Sequence, residues 1–356
     1  MHKDLIDDRF GRFREIPLAL AQKGHTVRGL CLSYVNKNIK AFKDGAVWWE
    51  SVNATSIKFP GLIRFIIKAK KTASQSDIIW ACSDSIYGII GFMLSKICRI
   101  PLIFDLYDNF EFFLSARFPG IKQLYRYTVR RCDGLTCVSQ PLAGLVSSYG
   151  RQKPTVVLEN AVREDLFMPM DKRQCRHYFN LPRNERLIGT AGDLAASRGI
   201  KVLFEAFDIL KSKYGDLHLV LAGPRNVKIP DDPKIHYLGV LPLERVPLFL
   251  NALDVGVICN QNNSFGRYCF PQKTREMMAC NLPVVAANIG SMHVLFSHKP
   301  QWLYEPGDKG SLARAVENRL VKRDTNYGTA PSWFNLSEHL ENILVRIIDG
   351  KYKNQI

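Results

Sequence analysis

Short runs of β-branched and apolar residues alternate along this chain with longer stretches in which apolar residues recur at helical spacing. The apolar runs predict buried strands, because parallel strands covered on both faces read as nearly continuous apolar segments. The periodic stretches predict amphipathic helices. The predicted strands are residues 26–32, 77–81, 102–104, 134–138, 155–158, 187–190, 217–222, 235–238, 255–259 and 283–286. The predicted helices are residues 14–23, 87–96, 123–131, 201–214, 245–252, 274–279 and 311–320.

Strict alternation of strand and helix predicts parallel sheets that are covered by helices on both faces. The pattern occurs twice, with a join near residues 159–169. We therefore predict an α/β protein with two doubly wound, Rossmann-like domains, residues 1–158 and 159–325. A C-terminal helix within residues 326–356 is expected to pack back toward the first domain. Open parallel sheets bind ligands beyond the carboxyl ends of their strands, so the cleft between the domains is the predicted active site.

Composition limits the class of protein. The chain has 356 residues, of which 46% are hydrophobic, and this excludes a disordered protein. No uninterrupted apolar run approaches the ~20 residues of a spanning helix, and the charged N-terminus has no apolar signal core, so we expect a cytoplasmic protein. Nine cysteines without CxxC spacing predict buried reduced thiols rather than disulfides or a zinc site.

The net charge of +16 points to an anionic partner. Residues 62–71 and 121–131 mix basic with large apolar side chains at helical spacing, which suits helices that lie on an anionic membrane surface. The alternative is that each helix packs its apolar side on a sheet while its Lys and Arg stay solvated. No nucleic-acid-binding motif is recognised, so nucleic acid is not an expected partner.

Residues 187–203 predict a phosphate-binding loop. A strand runs into small residues, and a helix begins near Gly199, where free backbone N–H groups and the helix dipole favour an anion. Arg198 can add a two-pronged contact to a diphosphate. The alternative is an ordinary strand-to-helix loop with a solvated Arg198. The segment is neither a P-loop nor GxGxxG, which argues against nucleotide hydrolysis and dinucleotide binding.

Residues 269–286 contain a second polar cluster. Pro271 opens a short predicted helix on which Lys273 and Glu276 are three residues apart and share one face. A carboxylate there can accept hydrogen bonds from the vicinal hydroxyls of a ribose, while Lys273 and the helix dipole favour phosphate. The alternative is a single exposed salt bridge worth a few tenths of a kcal/mol, on the order of 0.3.

Several segments, taken in order, match the motifs of one enzyme family. Residues 158–162 with Phe167 and Pro169 resemble its "PNGVD…F.P" linker, and residues 192–194 with residues 198–199 resemble "GRL…KG". Further matches lie at residues 8–9 and 24–27 ("D.R…GHEV"), 131–139 ("AD.I..VS"), 219–223 ("L.I.G.G"), 236–239 ("V.F.G"), 252–256 ("ADV.V.P") and 304–308 ("V.PGD"). The sequence thus resembles the GT-B glycosyltransferases, and within them the retaining family 4 group, over nearly its whole length.

The resemblance implies that a sugar moves from a nucleoside diphosphate sugar to an acceptor hydroxyl with retention of anomeric configuration. It implies no cofactor besides this co-substrate, and no metal. Arg198 falls where the family has its diphosphate-binding Lys, and Glu276 falls on the second Glu of E-x7-E. The implied catalytic residues are Arg198, Glu276 and Asp108, and the implied donor-binding residues are Gly192, Asp193, Ser197, Gly199, Gly223, Tyr268, Pro271 and Lys273.

The chain departs from the family pattern at three places. Tyr268 stands where the first Glu of E-x7-E would fall, which affects contacts to the transferred sugar. Asp193 replaces the Arg of "GRL", a loss for which Lys273 can compensate. Tyr107 and Asp108 stand where many relatives carry His-Asp, and we assign Asp108 to a sugar hydroxyl in the cleft. The alternative for Asp108 is a carboxylate that caps the turn before a helix.

The first predicted helix has no predicted strand before it, whereas a doubly wound domain normally begins with a strand at the sheet centre. In the family the "D.R" segment follows that strand, but Asp8 and Arg9 stand almost at the start of this chain. Either the sheet is built differently, or the sequence as given lacks its first strand. We expect the second, which leaves the central sheet position empty.

These observations predict a hexosyltransferase-type enzyme of surface polysaccharide or glycolipid synthesis. Its expected partners are a nucleotide-sugar donor, a saccharide or lipid-linked acceptor, and an anionic membrane at the inner face of the plasma membrane. One alternative is a nucleotide-sugar epimerase of the same fold. Another is a catalytically impaired homologue that binds the donor or serves as a scaffold, which the substitutions at Tyr268 and Asp193 favour.

Overall fold

The computed structural model describes residues 11–33, 41–53 and 58–350. Contacts within the chain divide it into two units. Unit 1 comprises Met1–Glu159 and Trp333–Ile356, and unit 2 comprises Asn160–Ser332. Each unit is built from parallel strands and helices, so the predicted α/β class with two parallel-sheet domains is confirmed.

Helices and strands alternate through most of the described chain. The helices are α1 (Arg12–Gln22), α2 (Lys58–Ala73), α3 (Ser85–Cys98), α4 (Ile121–Arg131), α5 (Gln140–Ser147), α6 (Lys172–Tyr178), α7 (Ile200–Lys213), α8 (Val246–Ala252), α9 (Ser264–Tyr268), α10 (Gln272–Ala279), α11 (Gly290–Leu295), α12 (Lys309–Val321) and α13 (Trp333–Ile348). The strands are β1 (Arg28–Ser33), β2 (Ala41–Asp44), β3 (Val47–Asn53), β4 (Ile79–Cys82), β5 (Leu102–Leu106), β6 (Gly134–Cys137), β7 (Thr155–Val157), β8 (Arg186–Ala191), β9 (Leu217–Ala222), β10 (Ile235–Tyr237), β11 (Val255–Ile258), β12 (Val284–Ala287) and β13 (Leu303–Tyr304).

Unit 1 contains two sheets among its described residues. One has the order β1-β3-β2 and the other has the order β4-β5-β6-β7, in which every neighbouring pair is parallel. Strict alternation of strand and helix is wrong in both units. In unit 1, β2 and β3 form an antiparallel hairpin. Gly45 and Ala46 make its two-residue turn, and Gly45 has the positive φ of 57° that such turns require at their first position. In unit 2, whose residues are all described, β10 follows β9 with no helix between them.

A buried ion pair joins α1 to the second sheet of unit 1. The Arg12 guanidinium donates through Nε and Nη2 to the two Asp105 oxygens at 2.9 and 2.8 Å. The side chains of Arg12 and Asp105 are 3% and 0% exposed. Thr136 Oγ1 of β6 donates to the same carboxylate at 2.6 Å, and Arg12 Nη1 donates to the Leu158 carbonyl at 3.1 Å. One side chain of α1 therefore ties together β5, β6 and the end of the contiguous part of unit 1.

The C-terminal helix α13 belongs to unit 1. It packs against α1, an ion pair joins Lys23 to Glu338 at 3.2 Å, and a hydrogen bond joins His25 Nε2 to Glu341 Oε1 at 2.7 Å. Ile347 lies on β6, where a Cβ added to Gly134 would be 2.5 Å from Ile347 Cδ1. A larger residue at Gly134 would therefore have to displace the side chains of Ile347 and Ile103.

Unit 2 has one six-stranded sheet with the order β10-β9-β8-β11-β12-β13, and its paired strands are all parallel. Helices α7 and α12 pack together beside it, over the buried side chains of β8, β9 and β11. This arrangement places the carboxyl ends of β8, β9 and β11 along one edge, from which the loops to α7 and α10 emerge.

All nine cysteines are free thiols, and seven of them are buried. The predicted reduced thiols therefore agree with the structure. In the part of the chain that the structure describes, we find no helix with the combined length and apolar character needed to cross a bilayer.

The buried ion pair predicts a large loss of stability on substitution. Arg12→Met leaves the Asp105 carboxylate buried without its cation, and we expect the free energy of unfolding to fall by about 3–5 kcal/mol. Lys122→Ala is the control, because Lys122 is 50% exposed and the change should cost less than about 1 kcal/mol. Urea unfolding followed by circular dichroism measures both, and similar losses in the two variants would contradict a special role for Arg12.

Candidate functional site

The loops after β8 and β9 approach each other at two glycines, at the carboxyl edge of the unit 2 sheet. Gly192 follows β8 with φ 111°, and Gly223 follows β9 with φ 126°. A Cβ added to Gly223 would lie 2.0 Å from the Gly192 carbonyl oxygen. Both predicted glycines are therefore required by the backbone geometry itself, and the loop that begins at Gly192 carries no side chain at its closest point to β9.

The helix α7 begins directly after this loop. Gly199 occupies its N-cap position with φ 84°, and no side chain among the described residues caps it. The helix α10 likewise begins after Pro271 without a capping side-chain hydrogen bond in the described part of the chain. Uncapped first-turn N–H groups, together with the helix dipole, attract anions.

The side chain of Lys273, near the start of α10, is hydrogen-bonded to the end of β8. Its ammonium donates to Thr190 Oγ1 at 3.2 Å and to the Ala191 carbonyl at 3.0 Å. The Nζ atom lies 4.0 Å from the position of a Cβ on Gly192. Burial lowers the pKa of Lys273 below its ordinary value, and the nearby positive charge of Arg198 lowers it further. An anion bound at this position would favour the charged ammonium and so raise the pKa of Lys273 again.

Arg198 is held in place by an aromatic ring. Its guanidinium carbon lies 3.3 Å from the centre of the Phe265 ring, a cation–π contact. Its Nε atom is 3.9 Å from Asp193 Oδ2, a loose ion pair. The loop is tied down next to Arg198, because Asn263 Nδ2 donates to the Ser197 carbonyl at 3.0 Å. Arg198 is therefore oriented before any ligand binds.

Glu276 lies one turn after Lys273 on α10. Burial raises the pKa of Glu276 to about 7, although a hydrogen bond from Gln272 and the charge of Lys273 act in the opposite direction. Gln272 also donates from Nε2 to the Ala161 carbonyl at 2.7 Å, which anchors the first turn of α10. Near neutral pH the Glu276 carboxyl can therefore either donate or accept a hydrogen bond.

The remaining predicted residues of unit 2 lie on the segments that carry Arg198, Phe265 and Lys273. Asp193 accepts a hydrogen bond from Asn226 Nδ2 at 3.2 Å as well as approaching Arg198. Tyr268 is the last residue of α9, two positions before the loop residue Phe270, whose carbonyl accepts a hydrogen bond from Asn160 Nδ2 at 2.9 Å. Phe265 and Thr190 were not among the predicted site residues, since neither carries a charge or belongs to a motif.

Asp108 lies in unit 1, directly after β5 and nearly buried. Its Oδ1 accepts a hydrogen bond from the Asn109 backbone N–H at 2.7 Å. The helical turn that follows is capped by Asn109, whose Oδ1 accepts from the Glu111 N–H at 3.2 Å. In the alternative interpretation Asp108 caps the turn before a helix. In the structure, Asn109 is the residue that caps this turn.

A second carboxylate that the sequence reasoning missed lies at the same edge of unit 1. Asp84 follows β4 and caps α3, and Ser115 Oγ donates to its Oδ1 at 2.6 Å. Burial raises the pKa of the Tyr107 hydroxyl, and the negative charges of Asp108 and Asp84 raise it further. The carboxyl ends of β4 and β5 thus present two carboxylates and a neutral phenol.

The raised pKa of Glu276 predicts a pH-dependent stability. The folded state holds the Glu276 proton up to about pH 7, whereas a Glu side chain in the unfolded chain loses it near pH 4.3, so the free energy of unfolding falls as the pH rises between these values. The stability at stake is about 3 kcal/mol; it is fully present below about pH 4.3 and is lost once the pH has risen through 7.

The comparison of wild type with Glu276→Gln isolates this effect. We expect the wild-type free energy of unfolding to fall between pH 5 and pH 8 relative to that of Glu276→Gln, in urea titrations. Glu205→Gln, at an exposed position of α7, is the control and should follow the wild-type curve. Parallel curves for wild type and Glu276→Gln would contradict the raised pKa.

Two family models match the chain. The model described as Glycosyltransferase Family 4 matches residues 13–166. The model described as Glycosyl transferases group 1 matches residues 185–321. The first match lies almost wholly in unit 1 and the second lies within unit 2.

Curated relatives and solved structures agree with the family models. The chain is 21% identical over 362 residues to the alpha-monoglucosyldiacylglycerol synthase of Streptococcus pneumoniae, which covers 93% of this chain and 78% of the relative. It is 25% identical to D-inositol 3-phosphate glycosyltransferase 2 of Catenulispora acidiphila, over 71% of this chain and 64% of the relative.

Among solved structures, sucrose-phosphate synthase from Thermosynechococcus elongatus is similar with a TM-score of 0.72 and 16% identity, covering 96% of this chain and 91% of that one. Anabaena HepE in complex with UDP is similar with a TM-score of 0.68 and 19% identity, covering 95% and 94%. The chain therefore belongs to the glycosyltransferases, with a Family 4 domain followed by a group 1 domain on the GT-B fold.

Proposed function

We propose that this glycosyltransferase moves a hexosyl group from a nucleoside diphosphate sugar to an acceptor hydroxyl with retention of anomeric configuration. The observation that carries the proposal is the convergence of Lys273 with the Gly192 loop, which also presents Arg198, at the carboxyl edge of the unit 2 sheet. Two cations beside two uncapped helix N-termini make a site for a diphosphate.

The cations have a direct chemical task in such a transfer. As the bond between the sugar and the diphosphate breaks, negative charge develops on the leaving phosphate, and fixed cations that face it lower the barrier. Arg198 suits this task because Phe265 already holds its guanidinium in one orientation. Lys273 suits it because its partly desolvated ammonium gains most from a new negative neighbour.

The other residues have positioning tasks under this proposal. Glu276, near the start of α10, accepts hydrogen bonds from the ribose hydroxyls of the donor. Asp108 in unit 1 accepts a hydrogen bond from a sugar hydroxyl, and the leaving phosphate takes the acceptor proton. Tyr268 and the backbone at Pro271 border the transferred sugar. No metal has a step in this scheme.

The names of related proteins support the choice of donor and acceptor. Anabaena HepE was solved with UDP and with UDP-glucose, which supports a nucleotide-sugar donor for this chain. The pneumococcal relative is a glucosyldiacylglycerol synthase, which supports a lipid-linked acceptor and a role in glycolipid or surface polysaccharide synthesis. A small soluble acceptor such as a saccharide is the other candidate, and a relative named for a small polyol phosphate, D-inositol 3-phosphate glycosyltransferase 2, supports a soluble acceptor.

Substitution of the two cations tests the donor site. We expect Arg198→Ala and Lys273→Met each to lower kcat/KM for sugar transfer by about 10²–10³-fold, the usual effect of removing one group that stabilises developing negative charge. Lys213→Ala removes an exposed cation at the far end of α7 and should leave the rate unchanged. Unchanged transfer in both site variants would contradict the assignment.

A donor-binding protein without transfer activity is a second candidate function. Asp193 near Arg198 offsets part of the positive charge, and Tyr268 stands where a carboxylate is expected. Thermal unfolding with nucleoside diphosphates and their sugars separates the two functions, because a ligand at 100 times its Kd adds about 2.7 kcal/mol of stability whether or not transfer follows. Stabilisation without turnover on any acceptor would favour the second function.

A lipid-linked acceptor requires access to a membrane surface, and unit 1 has a suitable face. Helix α3 packs against both α2 and α4, and none of these three helices contains an acidic residue. Their exposed large apolar side chains are Ile63, Ile67, Met93, Ile97, Leu124 and Tyr127. Their exposed cations, with Arg99 at the end of α3, are Arg64, Lys70, Lys71, Lys96, Arg99, Lys122, Arg130 and Arg131. We propose that this surface, the basic face, binds the anionic inner leaflet peripherally.

Liposome flotation tests the basic face. We expect the triple variant Arg64→Ala, Lys70→Ala, Lys71→Ala to bind anionic vesicles at least about tenfold more weakly than wild type, since each cation near such a surface contributes roughly 1 kcal/mol. The matched control removes three exposed lysines of unit 2 instead: Lys228, Lys309 and Lys322. Equal weakening in both variants, or equal binding of wild type to neutral vesicles, would contradict a specific face.

A further inference from the structure

Asp84 is a buried carboxylate at the carboxyl edge of the second sheet of unit 1. It is 7% exposed and follows β4 as the N-cap of α3. Its hydrogen bonds within the described residues all end on one oxygen. Oδ1 accepts from the Ile86 N–H at 3.2 Å, from Ser85 Oγ at 2.9 Å and from Ser115 Oγ at 2.6 Å. The second oxygen, Oδ2, has no partner in that part of the chain and is not sealed from solvent, so it can accept a hydrogen bond from a ligand.

The backbone just before Asp84 has an unusual conformation. Ser83 has a φ of 86°, in the left-handed region that residues other than glycine rarely adopt. Strained backbone of this kind persists only where surrounding contacts fix it, and it is concentrated at functional sites. Ser83 lies where the chain passes from β4 into α3. The strain, the cap and the hydrogen bond from Ser115 together fix the Asp84 carboxylate before any ligand binds.

Tyr107 leaves the sheet on the neighbouring strand. Cys82 of β4 pairs with Asp105 of β5, and Asp84 and Tyr107 each stand two positions after these paired residues. Burial raises the pKa of the Tyr107 hydroxyl, and the negative charges of Asp108 and Asp84 raise it further. The phenol is therefore neutral at physiological pH and keeps a proton to donate.

The ring of Tyr107 is held by contacts, but its hydroxyl is not. Phe13 and Phe110 meet the ring edge-on, at centroid distances of 4.8 and 5.3 Å. Among the described residues the hydroxyl has no hydrogen-bond partner. Asp84 and Tyr107 thus present one unused acceptor and one unused donor at the edge where parallel sheets bind their ligands.

The charge beside this pair is negative and uncompensated. Within the described residues Asp84 forms no ion pair. Two cations of unit 1 that lie near this edge are already engaged: Arg126 pairs with Glu111, and Arg12 pairs with Asp105. A phosphate or carboxylate group on a ligand would therefore meet the Asp84 charge without a neighbouring cation to offset it, which opposes binding.

We propose that Asp84 and Tyr107 bind the acceptor through two neutral hydroxyl groups, one donating to Asp84 Oδ2 and one accepting from the Tyr107 hydroxyl. The acceptor group held by unit 1 is then an uncharged, polyhydroxylated one, such as a glycosyl or polyol headgroup. A simple lipid alcohol has a single hydroxyl, which the transfer itself uses, and a phosphorylated polyol carries the charge that Asp84 disfavours. This inference rests on the proposed transfer reaction.

Binding of acceptor analogues tests the pair without requiring turnover. The probes are a panel of methyl hexosides and the corresponding hexoside 6-phosphates, added to the full chain and followed by saturation-transfer NMR. We expect wild type to bind at least one neutral hexoside, and to bind its 6-phosphate about tenfold more weakly. Asp84→Asn and Tyr107→Phe should each weaken binding of the neutral hexoside by about tenfold, the effect of one hydrogen bond to a charged or desolvated group. No binding of any neutral hexoside, equal binding of the phosphates, or unchanged affinity in Asp84→Asn would overturn the proposal.

Asp84→Asn separates acceptor binding from helix capping. Asn caps helices about as well as Asp, so Tm should stay close to that of wild type, whereas the accepting Oδ2 is replaced by a donating Nδ2. Asp133→Asn is the matched control. Asp133 accepts from the Leu102 N–H at 3.0 Å, at the opposite end of β5, and its substitution should leave hexoside binding unchanged.

Kinetics distinguish a failure of this inference from a failure of the proposed function. In Asp84→Asn the acceptor KM should rise by about tenfold, while the donor KM and the thermal stabilisation by a nucleoside diphosphate stay at their wild-type values. Transfer at an unchanged acceptor KM would overturn the role of Asp84 and leave the transfer reaction standing. Loss of hexoside binding in Asp84→Asn, in a protein whose wild type transfers no sugar, would overturn the proposed function and support the hydroxyl-binding pair.

Discussion

Each half of this protein depends on the requirement that a buried parallel strand be hydrogen-bonded along both of its edges. In unit 2 the requirement is met for β8, which lies between β9 and β11. This pairing brings the loops after β8 and β9 so close that a Cβ on Gly223 would lie 2.0 Å from the Gly192 carbonyl oxygen. In unit 1 the requirement is met for β3, β5 and β6, each of which lies between two strands. The same constraint thus explains the formed ligand edge of unit 2.

Burial shifts the pKa values of two unit 2 site residues more than ion pairs with neighbouring side chains do. Burial lowers the pKa of Lys273 and raises that of Glu276, so each residue is partly driven toward its neutral form. Arg198 is oriented by the Phe265 ring rather than by a close ion pair. Such a site favours an anion, because a bound diphosphate would give the Lys273 ammonium a negatively charged partner.

The sequence predicted the fold class and most strands because buried parallel strands have a strong apolar signature. It missed the hairpin of β2 and β3, although the Asp44-Gly45 pair was a readable turn signal. Gly192, Arg198 and Lys273 could be selected from motifs and charge. Phe265 could not, since its role depends on a contact with a residue 67 positions away that no local pattern encodes. The buried ion pair of Arg12 and Asp105 was not predicted for the same reason, because no local pattern distinguishes either residue from an exposed charged residue.

The position of α13 affects how the chain folds during synthesis. Unit 2 is one continuous stretch, Asn160–Ser332, and all of its strands are synthesised before α13. Unit 1 needs α13 to cover α1 and to seat Ile347 against β6, so its core stays incomplete until the last helix emerges. Domains generally fold as units during translation. We therefore expect unit 2, although it comes second in the sequence, to complete its fold before unit 1 does.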